Sequence, residues 1–70
     1  MRNDIPRLQR FMQKTFGCPG LEVRVRPKKD DSAEVYVGEE FIGILFKDED
    51  EGELSYQFQM AILDIDLEDV

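Results

Sequence analysis

Residues 40–56, EFIGILFKDEDEGELSY, decide the fold because two apolar segments flank a short acidic turn that contains a glycine. This arrangement is typical of a β-hairpin. The loop Asp50–Gly52 fits a type I turn closed by a left-handed glycine, which is the usual three-residue hairpin connection. Such a loop predicts that Phe46 lies opposite Tyr56, with Ile44 on the same face of the sheet.

Upstream of this hairpin, two further segments, residues 21–26 and 33–38, alternate apolar and polar side chains and are predicted as strands. Before them, apolar residues recur with helical spacing from about residue 4 to residue 16. Asp4 is expected to cap the helix start and Gly17 to end it. The helix then has an apolar stripe, and its opposite face is basic, formed by Arg7, Arg10 and Lys14.

Together these segments predict one helix at about 4–16 and four strands at about 21–26, 33–38, 41–47 and 53–66. We expect a single domain over residues 1–70 in the α+β class, with the N-terminal helix packed on a four-stranded antiparallel meander sheet. The helix would cover one sheet face, for which the alternation predicts Val23, Val25, Val35, Val37, Ile42, Ile44, Phe46, Tyr56, Phe58 and Met60.

The other sheet face is left uncovered by this arrangement and has an unusual composition. We expect a charge pair between Arg26 and Glu34 there, and a contact between Arg24 and Tyr36. Aromatic and arginine side chains are typical anchors of protein–protein interfaces. The sequence therefore predicts a candidate interaction surface made of Arg24, Arg26, Tyr36, Phe41, Leu45, Gln57 and Gln59.

The end of the predicted fourth strand, residues 62–67, continues to alternate after its pairing partners are exhausted. A 70-residue domain gains little stability from core burial alone, and oligomerisation is a common remedy. We therefore predict a homodimer, built either through residues 62–67 or through the open sheet face.

Charge is divided unevenly along the chain. Residues 1–29 carry a net charge of +6 and residues 30–70 a net charge of −13, for a total of −7. The negative total opposes the long-range attraction that nucleic-acid-binding proteins use, so no nucleic-acid partner is expected. A protein partner fits better, and acidic mimicry of nucleic acid by residues 48–69 is an alternative.

The chain contains no histidine, so the Ser-His-acid and Cys-His catalytic arrangements are excluded. Cys18 follows a helix C-terminus, where the partial negative charge disfavours a thiolate. We expect a non-catalytic protein with no catalytic, cofactor-binding or metal-ligating residue and no cofactor. The alternative is a carboxylate-based metal or catalytic site in the acidic hairpin at 48–53, although this turn does not match a calcium-binding EF-hand loop.

The longest apolar run, Phe41–Phe46, is far shorter than the roughly 20 residues that span a bilayer as a helix. A lone cysteine is unlike the paired cysteines of small secreted domains. We therefore expect a cytoplasmic protein with no membrane partner.

Residues 40–56 and 58–67, together with Phe16 and the run Arg10-Phe11-Met12, resemble a small family of uncharacterised alphaproteobacterial proteins that is classed as a domain of unknown function. The resemblance spans nearly the whole chain and implies a bacterial cytoplasmic protein. It implies no activity, cofactor or site residue.

Overall fold

A computed structural model describes the backbone of residues 1–70 and every side chain except that of Asp69. It contains one N-terminal helix and an antiparallel sheet with the strand order β1-β2-β3-β4, which confirms the α+β meander. The elements are α1 (Ile5–Phe16), β1 (Leu21–Arg26), β2 (Lys29–Val37), β3 (Glu40–Asp48) and β4 (Ser55–Gln59), with 3₁₀ turns at Arg2–Asp4, Asp50–Gly52 and Asp64–Asp69.

Helix α1 ends as its sequence predicts but begins differently. Gly17 adopts a left-handed conformation with φ 61°, and the amide of Cys18 donates to the carbonyl of Gln13 at 2.9 Å, which closes the last turn. At the other end, Asp4 makes no capping hydrogen bond with its side chain. The expectation of a capping aspartate was wrong, because the Asp4 carboxylate accepts hydrogen bonds from the side chains of Tyr56 and Arg7 instead.

Two glutamines fasten the helix to the outer edge of β1. The side-chain oxygen of Gln9 accepts a hydrogen bond from the amide of Val23 at 2.9 Å, and the Gln13 amide donates to the carbonyl of Leu21 at 2.8 Å. These bonds satisfy backbone groups that an edge strand otherwise leaves unpaired. The helix therefore lies along one side of the sheet, over β1.

Strand β3 is displaced by one residue from the predicted alternation. The turn at Gly38 and Glu39 pairs Val37 with Glu40, as a two-residue loop requires, but Ile42 is then an extra residue in a β-bulge. Beyond the bulge the register brings Leu45 opposite Ala33.

The bulge exchanges the faces of three β3 side chains. Leu45, predicted on the open face, is 3% exposed and belongs to the core under the helix. Ile44 and Phe46, predicted in the core, lie on the opposite face, where they are half-buried. The predicted placement of all three was wrong, because one inserted residue reverses every later side chain of a strand.

The hairpin between β3 and β4 has a longer loop than the predicted three residues. Asp48 pairs with Ser55, so six residues, 49–54, connect the strands. Lys47 rather than Phe46 lies opposite Tyr56, and Leu45 lies opposite Phe58. The bulge in β3 and the longer β3–β4 loop are consistent with each other, because together they place Leu45 and Phe58 against the core on the helix side.

Strand β4 ends at Gln59, so the predicted strand to residue 66 was wrong over its second half. Residues 60–63 have no regular structure and lead into the 3₁₀ turn Asp64–Asp69. The Asp66 carboxylate accepts from the amide of Leu63 at 3.0 Å, and the Asp66 amide donates to the Leu63 carbonyl at 2.9 Å. An alternating sequence thus closes into a local turn in the single chain rather than extending β4.

The core lies between α1 and the first three strands. Its buried apolar members are Met12, Leu21, Val23, Ala33, Val35 and Leu45. Ile5, Leu8, Tyr56 and Phe58 pack around this set with part of their surface exposed. No helix in the described chain is long and apolar enough to cross a membrane.

Candidate interaction surface

The sheet face opposite the helix has a row of side chains that crosses all four strands. Arg24 lies opposite Glu34, Glu34 opposite Ile44, and Ile44 opposite Gln59. Side chains directly opposite on antiparallel strands share a face, so these four residues mark the open face. Helix α1 packs on the other side, against Leu21, Val23 and Leu45.

A continuous stack of Arg24, Tyr36 and Phe41 forms the aromatic part of this face. The guanidinium carbon of Arg24 lies 4.0 Å from the centre of the Tyr36 ring. The Tyr36 and Phe41 rings meet edge to face with their centres 5.6 Å apart. Both geometries are favourable for π systems, so the three large side chains of the stack support one another's positions. The expected contact between Arg24 and Tyr36 is confirmed.

Two acidic residues complete the surroundings of the stack. Glu22 accepts a hydrogen bond from Arg24, and this bond is the main cause of a raised pKa for the guanidinium. The Tyr36 hydroxyl donates to the Glu34 carboxylate at 3.2 Å. The Arg24 side chain thus stays charged and has limited rotational freedom while remaining accessible to solvent.

Arg26 does not make the charge pair predicted for it. The register between β1 and β2 shifts beyond Val25, and Arg26 then lies opposite Lys29 rather than Glu34. Its guanidinium donates to the hydroxyl of Ser32 at 3.2 Å and covers this buried serine. Arg26 therefore borders the open face as a half-buried side chain.

The remaining predicted surface residues divide between the two faces. Gln57 and Gln59 are exposed on the open face, and Phe41 is 49% exposed there. Leu45 is not part of the surface, because it is buried under the helix. Ile44 and Phe46, which the sequence reasoning missed, take its place. The run 41–46 is apolar at every position except Gly43, so its alternation contained no signal for either face.

The acidic turn between β3 and β4 is held by its own backbone contacts. The Asp48 carboxylate accepts from the amide of Asp50 at 3.1 Å, and the amide of Glu53 donates to the carbonyl of Asp50 at 3.0 Å. Glu51 and Gly52 have positive φ values of 53° and 79°. Among the described side chains, no group of three or more acidic or cysteine residues is close enough to hold a metal ion.

A separate polar cluster on the helix side joins the start of α1 to β4. The hydroxyl of Tyr56 donates to one oxygen of Asp4 at 2.7 Å, and Arg7 donates to the other oxygen at 2.7 Å. Lys47 lies 4.0 Å from the same carboxylate. The hydrogen bond from Tyr56, followed by that from Arg7, lowers the pKa of Asp4, whereas the Asp4 bond and burial raise the pKa of Tyr56. This cluster connects two distant segments and explains why Asp4 does not cap the helix.

Comparison with known proteins identifies a family. A family model described as a protein of unknown function (DUF3126) matches residues 4–66. Neither the search of curated proteins nor that of solved structures gave a match to the chain.

Proposed function

The chain belongs to the DUF3126 family of proteins of unknown function, and we propose that it is a small, non-catalytic interaction module that binds another protein through its open sheet face. In keeping with the resemblance to alphaproteobacterial proteins, we place this role in the bacterial cytoplasm. The anchor residues of the proposed interface are Arg24, Tyr36 and Phe41, with Ile44 and Phe46 beside them.

The single observation that supports this function is the ordered stack on an uncovered face. Arg, Tyr and Phe are enriched at interfaces, and the residues that dominate binding energy are rigid side chains with large contact areas. In this protein, the Arg24–Tyr36 and Tyr36–Phe41 contacts already order the three side chains, so little conformational entropy is lost on binding.

The proposal is tested with tagged wild-type protein, Tyr36→Ala and Phe41→Ala in pull-downs from the native cell, analysed by mass spectrometry. We expect both variants to fold and to lose the same bound protein that the wild type recovers. For that protein, purified, we expect the dissociation constant to rise about tenfold or more in each variant.

Phe11→Ala is the matched control, because Phe11 is also an exposed phenylalanine but lies on the helix side. It should retain the partner. Equal recovery of the partner by wild type, Tyr36→Ala and Phe41→Ala would refute the proposed interface, and loss of the partner in Phe11→Ala as well would place the interface elsewhere.

A further inference from the structure

Helix α1 leaves part of its own sheet face uncovered, on the side of β3 and β4. There a cleft of about 140 Å³ lies between the helix and the sheet, lined by apolar and aromatic side chains that include Leu8, Phe11, Phe16 and Phe58. Phe11 is 65% exposed and Phe16 is 57% exposed, although both border this apolar cleft. A second cleft continues it past Leu54 and Tyr56 to Arg7. We call the two together the groove.

The chain also ends in a segment that does not bury its apolar side chains. Residues 60–68, called the arm, contain Met60, Ile62, Leu63, Ile65 and Leu67, and each of these is more than half exposed. The arm lies next to Glu40–Ile42 at the start of β3, but a space of about 580 Å³ separates it from the strand. The arm is therefore poorly packed against its own sheet.

The charges of the arm and of the groove are complementary. The arm carries Asp64, Asp66 and Glu68 between and after its apolar residues. Arg7 lines the groove, and Lys14 lies one helical turn from Phe11 on the exposed surface of the helix. Arg7 binds Asp4, but its side chain is 77% exposed and a guanidinium has further donors to offer.

The arm of the same molecule leaves in the wrong direction to fill the groove. Tyr56 contacts Asp4 at the start of α1, and the Phe58 ring lies 6.3 Å from that of Phe16 at its end, so β4 and the helix run the same way. The chain thus passes out of the groove at Gln59. To enter its own groove, the arm would have to reverse immediately after β4.

We propose that this groove binds the arm of a second copy of the chain, and that two copies exchange arms around a twofold axis. Each copy then contributes one groove and one arm, as closed twofold association requires. The exchange buries the exposed apolar residues of both segments and brings the acids of one copy to the basic border of the other. A core of only six buried apolar residues makes such added burial valuable to a 70-residue chain.

A charge-reversal experiment distinguishes exchange between copies from every intramolecular arrangement. Lys14→Glu reverses a charge one helical turn from Phe11 and leaves the Asp4 cluster intact, and Asp64→Lys reverses a charge on the arm. Each variant alone juxtaposes like charges in its dimer, so we expect its dissociation constant to rise about three- to tenfold at low salt, measured by sedimentation equilibrium. In an equimolar mixture the heterodimer has both groove–arm pairs complementary, so the wild-type affinity should return.

Two further variants test the apolar part of the proposal. Phe11→Ser and the double change Ile65→Ser/Leu67→Ser alter exposed side chains, so both should keep the wild-type circular dichroism spectrum while their mass falls towards the 8.2 kDa of one chain. In a mixture of isotope-labelled and unlabelled wild-type chains, we expect nuclear Overhauser contacts between the Ile65 methyls of one copy and the Phe11 ring of the other.

Three results would overturn the proposal: a wild-type chain that stays monomeric at several hundred micromolar, a charge-reversal mixture that associates no better than its components, and contacts between Ile65 and Phe11 within one copy. Tyr36→Ala is the control for the other face and should leave the dimer unchanged. Because it should also lose the protein partner of the open face, failure of the proposed function and failure of arm exchange give different results.

Discussion

Replacing Leu45 by alanine tests the register on which the whole description of both sheet faces rests. Leu45 is 3% exposed and lies between Ala33 and Phe58 on the helix side. Its neighbour Ile44 points to the open face and is half-buried. The changes Leu45→Ala and Ile44→Ala each remove three carbon atoms, so they form a matched pair that differs in burial.

The expected losses of unfolding free energy follow from that burial. Removing three buried carbons costs about 2.4 kcal/mol in transfer energy, and the cavity left in a packed site adds to it, so we expect about 3 kcal/mol for Leu45→Ala. At a half-buried site with no closed cavity, the loss for Ile44→Ala is about 1 kcal/mol. Isoleucine prefers strands more than leucine does, so a propensity effect alone would oppose this order.

Urea denaturation followed by far-ultraviolet circular dichroism measures the difference. With a slope of about 1 kcal/mol per molar urea for a small domain, the two midpoints should differ by about 2 M. The total stability of a domain of this size is about 3.5–10 kcal/mol, so at the lower bound Leu45→Ala keeps only about 0.5 kcal/mol and lacks a folded baseline for the urea titration. The milder pair Leu45→Val and Ile44→Val then gives the same comparison.

Equal losses at the two positions, or a larger loss at Ile44, would refute the bulge and the register described for β3. The reversed order is what the unbroken alternation of the sequence predicts, with Ile44 in the core. The experiment therefore decides between two specific arrangements of the same strand.

Two further predictions follow from single contacts. A Cβ at Gly43 would collide with the backbone carbonyl of Gln59 and the Phe58 ring, so Gly43→Ala should lower the urea midpoint by about 1–3 M. Gly20→Ala is the control, because its Cβ meets no neighbour, and it should leave the midpoint unchanged or raise it slightly. Equal effects of the two changes would contradict the close approach of β3 and β4. The pKa of Asp4 is lowered in the folded protein, so its bonds to Tyr56 and Arg7 stabilise the fold above the unfolded pKa of about 4. This stabilisation is lost as the pH falls through the folded pKa, so Asp4→Asn should flatten the dependence of thermal stability on pH between about 2 and 5. An unchanged slope in the variant would contradict this role of Asp4.

The order of elements could be predicted because each has a distinct period. The helix from residue 5 to 16 has apolar residues at helical spacing and ends at Gly17, and β1 and the second half of β2 alternate strictly. The Arg24–Tyr36 contact followed from placing both residues on one face, although the actual register makes it a diagonal contact rather than a direct pair.

The faces of β3 could not be predicted, and the reason is physical. Phe41–Phe46 is apolar on both sides of the strand, so burial of either face satisfies its composition. The deciding feature is the bulge at Ile42, which depends on how β3 fits against β2 and has no local signature.

The end of β4 was predicted wrongly because its sequence pattern is also ambiguous. The alternation of residues 62–67 is equally compatible with a strand and with a turn in which Asp66 binds the Leu63 amide. A strand needs a partner with unpaired backbone groups, whereas the turn closes its own hydrogen bonds, and the sequence does not show which partners remain.

The glutamines that fasten α1 to β1 also affect how sheets of this kind can associate edge to edge. In polymer terms, a sheet with two open edges is a bifunctional monomer and can grow without limit. Gln9 and Gln13 occupy the Val23 amide and the Leu21 carbonyl at one edge, so β4 is the more open end of the described sheet. We therefore expect edge-to-edge addition at β4, which joins two chains, and the two glutamines disfavour growth beyond that pair.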